Sequence, residues 1–288
     1  MSRWTGELAF ANRVLVIATM HRKEAAIAPL LQPELGVQIQ VPAGFDSDRF
    51  GTFTRDVARP ADQVETARLK LHHALELTGA DLGVASEGSF GPHPVLPMLP
   101  LNRELVVLID QANHLEVVGE ATSTDTNYRH ATVKTVEDAQ AFAKKARFPS
   151  HGLVAMPTAE PKDGAEIYKG ITSEAVLLEV VDKLLTQFGQ AHLETDMRAM
   201  MNPTRMQAIA QATQDLLRKL KQPCPDCGYP GFEIGDRKPG LPCDLCGLPT
   251  DLTLTAIYRC QNCSFEETVK HPDGITTADP AQCPFCNP

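Results

Sequence analysis

Apolar and polar positions alternate in blocks over the first 220 residues, and the blocks predict a succession of strands and helices. Val14 to Thr19 carries the near-continuous apolar run Val-Leu-Val-Ile-Ala, the pattern of a strand buried on both faces. Lys23 to Leu31 reads as a short helix, and Val37 to Val41 alternates as a second strand. Pro42 to Pro60 is rich in Gly, Asp and Pro and reads as a loop. Asp62 with Glu65 three residues later makes a capping-box-like start to a helix that ends at Gly79.

Asp81 to Ser86 follows as a short strand, ending in a glycine-rich loop, Glu87 to Gly91. Gly91-Pro92-His93-Pro94 is expected to be a rigid loop. Glu104–Asp110 and His114–Ala121 predict a hairpin, and Val136–Arg147 a helix capped by Thr135. Leu153–Met156 and Ile167–Ile171 read as strands. A strongly amphipathic helix then runs to Gly189, and another opens at Pro203 and reaches Leu220. Alternating strands and helices predict an α/β domain over residues 1–220, with a mixed sheet and flanking helices.

Residues 221–288 break the pattern. All eight cysteines of the chain fall here, in four Cys-x-x-Cys pairs: Cys224/Cys227, Cys243/Cys246, Cys260/Cys263 and Cys283/Cys286. The gaps between pairs are 15, 13 and 19 residues. Two thiolates separated by two residues fit neighbouring corners of a tetrahedral zinc ion. Gly228 and Gly247, directly after two of the pairs, suit the positive φ of a knuckle turn. So short a tail with few aliphatic residues cannot bury a sufficient core, and metal binding supplies what is missing. The spacing predicts a zinc-ribbon-like module with two structural four-sulfur sites. Consecutive pairing is the favoured arrangement, each site being two knuckles bridged by a hairpin. The alternative joins the first and last knuckles, and the middle two.

Charge narrows the partners. The net charge is −9, and the tail from Lys221 has five basic against nine acidic residues. Eight thiolates on two divalent ions make the tail more negative still. Nucleic-acid phosphates are therefore poor partners, and a protein contact through the tail is the expected one. No apolar run is long enough to span a membrane. Cysteines spaced for metal, without an export leader, suit a reducing cytoplasm.

Candidate chemistry in the first domain lies in three places. The first strand runs into Thr19-Met20-His21-Arg22-Lys23. A strand-to-helix turn points N–H groups at an anion, and Thr19, His21, Arg22 and Lys23 add side-chain donors. Glu65 opens the helix that carries Lys70, and on its own it suits simple capping. Glu87 at a strand end before glycines suits a Mg²⁺ ligand beside a phosphate. Arg198 and Arg205 flank Asn202-Pro203 at a helix start, where they could bind an anion, and a helix-capping surface segment is the favoured expectation.

In order and spacing, Thr19…Lys23, Glu65-Thr66-Ala67…Lys70 and Glu87-Gly88 resemble the inosine triphosphatase-like superfamily of nucleoside triphosphate pyrophosphatases over residues 12–122. Met20 stands where that family usually has Asn, and its late Ser/Thr-His-Arg segment has no clear counterpart, Asp196-Met197-Arg198 being a faint echo of it. The resemblance implies a mixed α/β fold and Mg²⁺-dependent hydrolysis of a nucleotide or related phosphate compound. It implies that Thr19, His21, Lys23 and Lys70 hold phosphate, and that Glu65 and Glu87 hold Mg²⁺. The alternative is a non-catalytic domain that binds a phosphate ligand.

Overall fold

The computed structural model describes residues 10–46, 62–161 and 166–288. The loop expected over Pro42–Pro60 falls mostly outside them. The described chain forms two compact units, one of Asn12–Leu216 and one containing Leu217–Pro288.

The first unit opens with β1 (Val14–Ala18), α1 (Glu24–Leu35), β2 (Gln38–Gln40), α2 (Gln63–Thr78), β3 (Leu82–Pro92), β4 (Pro100–Asp110) and β5 (Leu115–Ser123). These strands make one mixed sheet in the order β2-β1-β3-β4-β5. β1 is parallel to both β2 and β3, while β3, β4 and β5 form an antiparallel meander. β1 is buried throughout its last four residues, as a continuous apolar run requires. α2 begins as its capping pattern predicts: the Asp62 side chain accepts from the Glu65 N–H, and Gly79 closes the helix at φ 69°.

Sheet faces follow from alternation. Ala85, Val107 and Val118 turn to α2 and pack with Ala67, Leu71 and Leu75. Gly119, the next residue on β5, turns the other way. A side chain there would come within 2.2 Å of the Ala212 carbonyl oxygen and 2.5 Å of the Leu216 nitrogen. This glycine lets α5 (Pro203–Leu220) lie directly on the sheet.

β3 is longer than expected. The glycine-rich segment Glu87–Gly91 is strand, because β4 pairs it residue by residue out to Pro92↔Pro100. The prolines sit where that ladder ends.

A second sheet, order β6-β9-β7-β8, comprises β6 (His130–Val133), β7 (Leu153–Met156), β8 (Tyr168–Ile171) and β9 (Ala191–Thr195). It packs on α3 (Val136–Lys145) and α4 (Glu174–Phe188) through Phe142, Leu177, Val181 and Leu184. The remaining unit carries β10 (Glu233–Pro239), β11 (Thr253–Arg259) and β12 (Glu266–Lys270) as a three-stranded antiparallel meander. The chain is therefore a mixed α/β protein with a small cysteine-bearing C-terminal module. Among the described residues no helix is long and apolar enough to cross a membrane.

Replacing Gly119 by Val forces a branched side chain against helix backbone that has no slack. The variant is expected to lose about 1–3 kcal/mol or more, read as a lowered urea midpoint with an unchanged slope.

Candidate metal centres and a buried charge cluster

Each gap between cysteine pairs contributes one strand of the C-terminal meander. The first pair precedes β10, the second lies between β10 and β11, the third between β11 and β12, and the fourth follows β12. An antiparallel strand returns the chain to the end it left. Odd-numbered pairs therefore share one end of the sheet and even-numbered pairs the other.

The sulfurs meet accordingly. Cys224, Cys227, Cys260 and Cys263 form one set, and Cys243, Cys246, Cys283 and Cys286 the other, with the sulfurs of each set within 4.8 Å of one another. This corrects both arrangements expected from the spacing. Consecutive pairing needs a hairpin inside each gap, and the gaps hold single strands instead.

Sulfur separations test what each set can hold. Cys224–Cys263, Cys227–Cys260 and Cys246–Cys283 are each 3.7 Å apart, and Cys243–Cys286 3.9 Å. A disulfide needs about 2.05 Å. A tetrahedral zinc with Zn–S bonds of about 2.3 Å separates its sulfurs by about 3.8 Å. Both sets thus have the dimensions to hold a zinc ion, and four sulfurs leave no open position for water or substrate.

The knuckle turns are built alike. Gly228 donates to the Cys224 carbonyl and Gly247 to the Cys243 carbonyl, at φ 77° and 71°. Ser264 takes the same place after Cys263 at φ 60°, without the freedom of a glycine. Burial raises the Cys227 thiol, but the Tyr229 N–H and the Asn262 side chain outweigh it and bring Cys227 down to about 7. Donors aimed at sulfur favour the thiolate that a metal requires.

The first unit concentrates charge at one point of its larger sheet. β1 stops at Ala18, which pairs with Ala85, while β3 runs on. The chain leaves β1 toward β2 on one side, and β3 lies on the other. The carboxyl ends of β1 and β3 thus form a topological switch point, the place where open α/β sheets bind ligands.

Lys23 fills the gap beyond β1. It is only 8% exposed, and its Nζ donates to the Ser86 carbonyl at 2.7 Å. On the α2 face of the sheet, buried Lys70 is ion-paired with buried Glu87. On the opposite face, Arg205 of α5 donates through Nε to Glu104 Oε1 at 2.8 Å, with both side chains essentially inaccessible. Glu104 lies over Gly88, where any side chain would collide with its carboxylate. The Arg205 guanidinium also covers the Phe90 ring at 5.4 Å, and Phe90 stacks on Tyr128.

The structure thus brings Lys23, Lys70 and Glu87 together. Thr19 joins them through its hydroxyl, which accepts from the N–H groups of His21 and Lys23. His21 is half-buried in the same turn. Glu65 lies elsewhere. Five residues from Lys70 on α2, it points to the exposed side and accepts from Arg68, which also grips Glu116. Glu65 and Glu87 are therefore engaged by different cations on different sides of one helix. Among the described residues, only the two cysteine sets bring three or more metal-ligating groups together.

Arg205 corrects the expectation of a surface segment: it is 1% exposed and the largest fully buried side chain. Asn202 caps α5 by accepting from the Arg205 N–H, and this sets the guanidinium inward. Sequence reasoning missed Glu104 and its pairing with Arg205, and nothing in their spacing links two residues 101 positions apart. Burial drops Lys23 from 10.5 to about 7, with Arg205 and Lys70 pushing it down and Glu87 and Glu104 opposing.

These features define a mixed α/β protein with two four-cysteine centres and a buried ionic cluster. A family described as a domain of unknown function (DUF6671) matches residues 70–288, and the chain belongs to that family. The matched span includes all eight cysteines, Lys70, Glu87, Glu104 and Arg205. No curated protein matches the chain.

Two measurements test these sites. Double variants read the pairing by elemental analysis. Cys227→Ser with Cys260→Ser should keep one zinc per chain, since one set stays whole, whereas Cys227→Ser with Cys246→Ser should keep none; the reverse result restores consecutive pairing. The second concerns pH. Lys23 binds its proton more weakly folded than unfolded, so the unfolded chain holds more protons between about pH 7 and 10.5, and stability rises with pH across that window. Lys23→Met should flatten that rise in thermal unfolding, and an unchanged slope would show that Lys23 does not titrate there.

Proposed function

We propose that the Asn12–Leu216 unit binds a phosphate-bearing small molecule at the β1/β3 switch point, and that the C-terminal module holds two structural zinc ions. One observation carries the first part. Among the described residues the cluster has three buried cations, Lys23, Lys70 and Arg205, against two carboxylates, Glu87 and Glu104. Each carboxylate already has its own cation, so the arrangement has room for an anion. For the zinc ions the support is the size of the two sulfur sets. The acidic module would then face protein rather than nucleic acid.

A second reading is favoured by the convergence of Lys23, Lys70 and Glu87, the residues that the inosine triphosphatase-like resemblance assigns to phosphate and metal. In that reading the bound compound is a nucleoside triphosphate and is hydrolysed. The carboxylate pair implied for Mg²⁺ does not fit, because Glu65 stands apart from Glu87. Ligand binding is accordingly the primary reading.

Titration of the zinc-loaded chain with pyrophosphate and a panel of nucleoside triphosphates, each with magnesium, separates the two. Binding should raise stability by about 2.7 kcal/mol at a hundred times Kd and should be lost in Lys23→Ala. Release of pyrophosphate or orthophosphate would promote the hydrolytic reading. A folded protein that no phosphate compound stabilises would end both.

A further inference from the structure

Lys23 is the surplus cation of the cluster. Lys70 is matched by Glu87 and Arg205 by Glu104, whereas the Lys23 ammonium donates to an uncharged acceptor, the Ser86 carbonyl. The groups facing it come from every surrounding element: Lys70 from α2, Glu87 from β3, Glu104 from β4 and Arg205 from α5. On its own turn, His21 is half-buried and Arg22 exposed.

A buried ammonium with no counter-charge of its own has two ways to lower its free energy. It can release its proton, or it can gain an anion. The two are alternatives at a single site, so they are thermodynamically linked. We propose that an oxyanion enters the β1/β3 crevice together with a proton, which makes Lys23 the anchoring ammonium and makes affinity fall as pH rises.

This inference rests on the anion-binding reading above and adds its regulation. An anion favours the protonated amine as an opposite charge within about 4–6 Å does, so the bound state holds the proton to higher pH than the free state. Between those limits the affinity should fall by about tenfold per pH unit. Glu87 and Glu104 are poor substitutes for the anion, since moving either one toward Lys23 would pull it away from the buried cation it already pairs with.

The test is made on the zinc-loaded full chain carrying lysine labelled with carbon-13 at Cε, with inorganic pyrophosphate as the probe. The Lys23 resonance is assigned by its disappearance in Lys23→Arg, or in Lys23→Met should that variant fold poorly. In free protein the resonance should titrate within roughly pH 6–9. With pyrophosphate bound it should stay at the ammonium position across that range. Calorimetry in buffers of different ionisation enthalpy should show proton uptake in the wild type beyond that in Lys23→Arg, the difference removing the titration of pyrophosphate itself. A resonance that is ammonium throughout in the free protein, or that titrates unchanged with pyrophosphate bound, overturns the proton linkage and leaves anion binding standing. Absence of pyrophosphate binding at every pH overturns both.

Discussion

Strand reversal in a three-stranded antiparallel meander decides where eight sulfurs can meet. Each strand carries the chain from one end of the small sheet to the other, so knuckles one strand apart cannot share a site and knuckles two strands apart must approach. Each set therefore ties together segments separated by a complete hairpin, and the two sets clamp both ends of one sheet. Crossed pairing makes the sites interdependent. Consecutive pairing would give two small units, each able to fold on its own metal. Here the first set needs β10 and β11 in register and the second needs β11 and β12, so the two share β11. In the proposed reading, metal free energy of about 10–16 kcal/mol per site acts on the module as a whole.

The larger unit obeys a related rule of direction. β1 ends while β3 continues, so the pairing of β1 with β3 stops at Ala18 and Ala85. The Lys23 ammonium supplies the donor that a longer β1 would have supplied to the Ser86 carbonyl. Alternation along β3 and β4 then sends Glu87 to one face and Glu104 to the other, each to a cation on the helix that covers that face. A bare glycine at 88 is what lets Glu104 lie flat across the strand. Backbone geometry thus gathers five ionisable side chains around one strand end, four from α2, β3, β4 and α5 and one from the turn before α1.

Much of this was legible in local pattern. The apolar run of β1, the capping residues of α2, the amphipathic stripe of α4 and the proline start of α5 each stand within a few residues of where local physics places them. The cysteine spacing identified the metal-sized sites. What escaped was non-local. β6 and β9 are short and carry polar residues, and they become strands through pairing, β6 with β9 and β9 also with β7. The segment after Ser86 is glycine-rich yet extended, because β4 supplies a full ladder. The crossed pairing depended on how many strands fill each gap, which cysteine spacing does not encode. Arg205 looked like a surface residue because an isolated arginine near a helix start is usually solvated. Its burial is set by Glu104, which meets it only after the sheet and α5 have assembled. Glu65, by contrast, was read with Glu87 from order along the chain, and the turn of α2 separates them.

The ionic cluster calls for an explanation beyond stability. Replacing buried ion pairs by well-packed apolar residues is often neutral or stabilising by about 1–4 kcal/mol. Two such pairs on opposite faces of one strand, with a third buried cation between them, are therefore a poor way to hold a sheet together. The same unit already has an apolar core of Leu, Val, Ile and Ala on the α2 face. Fixed charges in a site of low dielectric do one thing that an apolar core cannot: they present an oriented field to a charged visitor without reorganising. The position agrees with this, since the cluster lies where β1 stops and β3 runs on. In the proposed reading the surplus cation is relieved by an arriving anion, and the stability of the unit is tied to its occupancy.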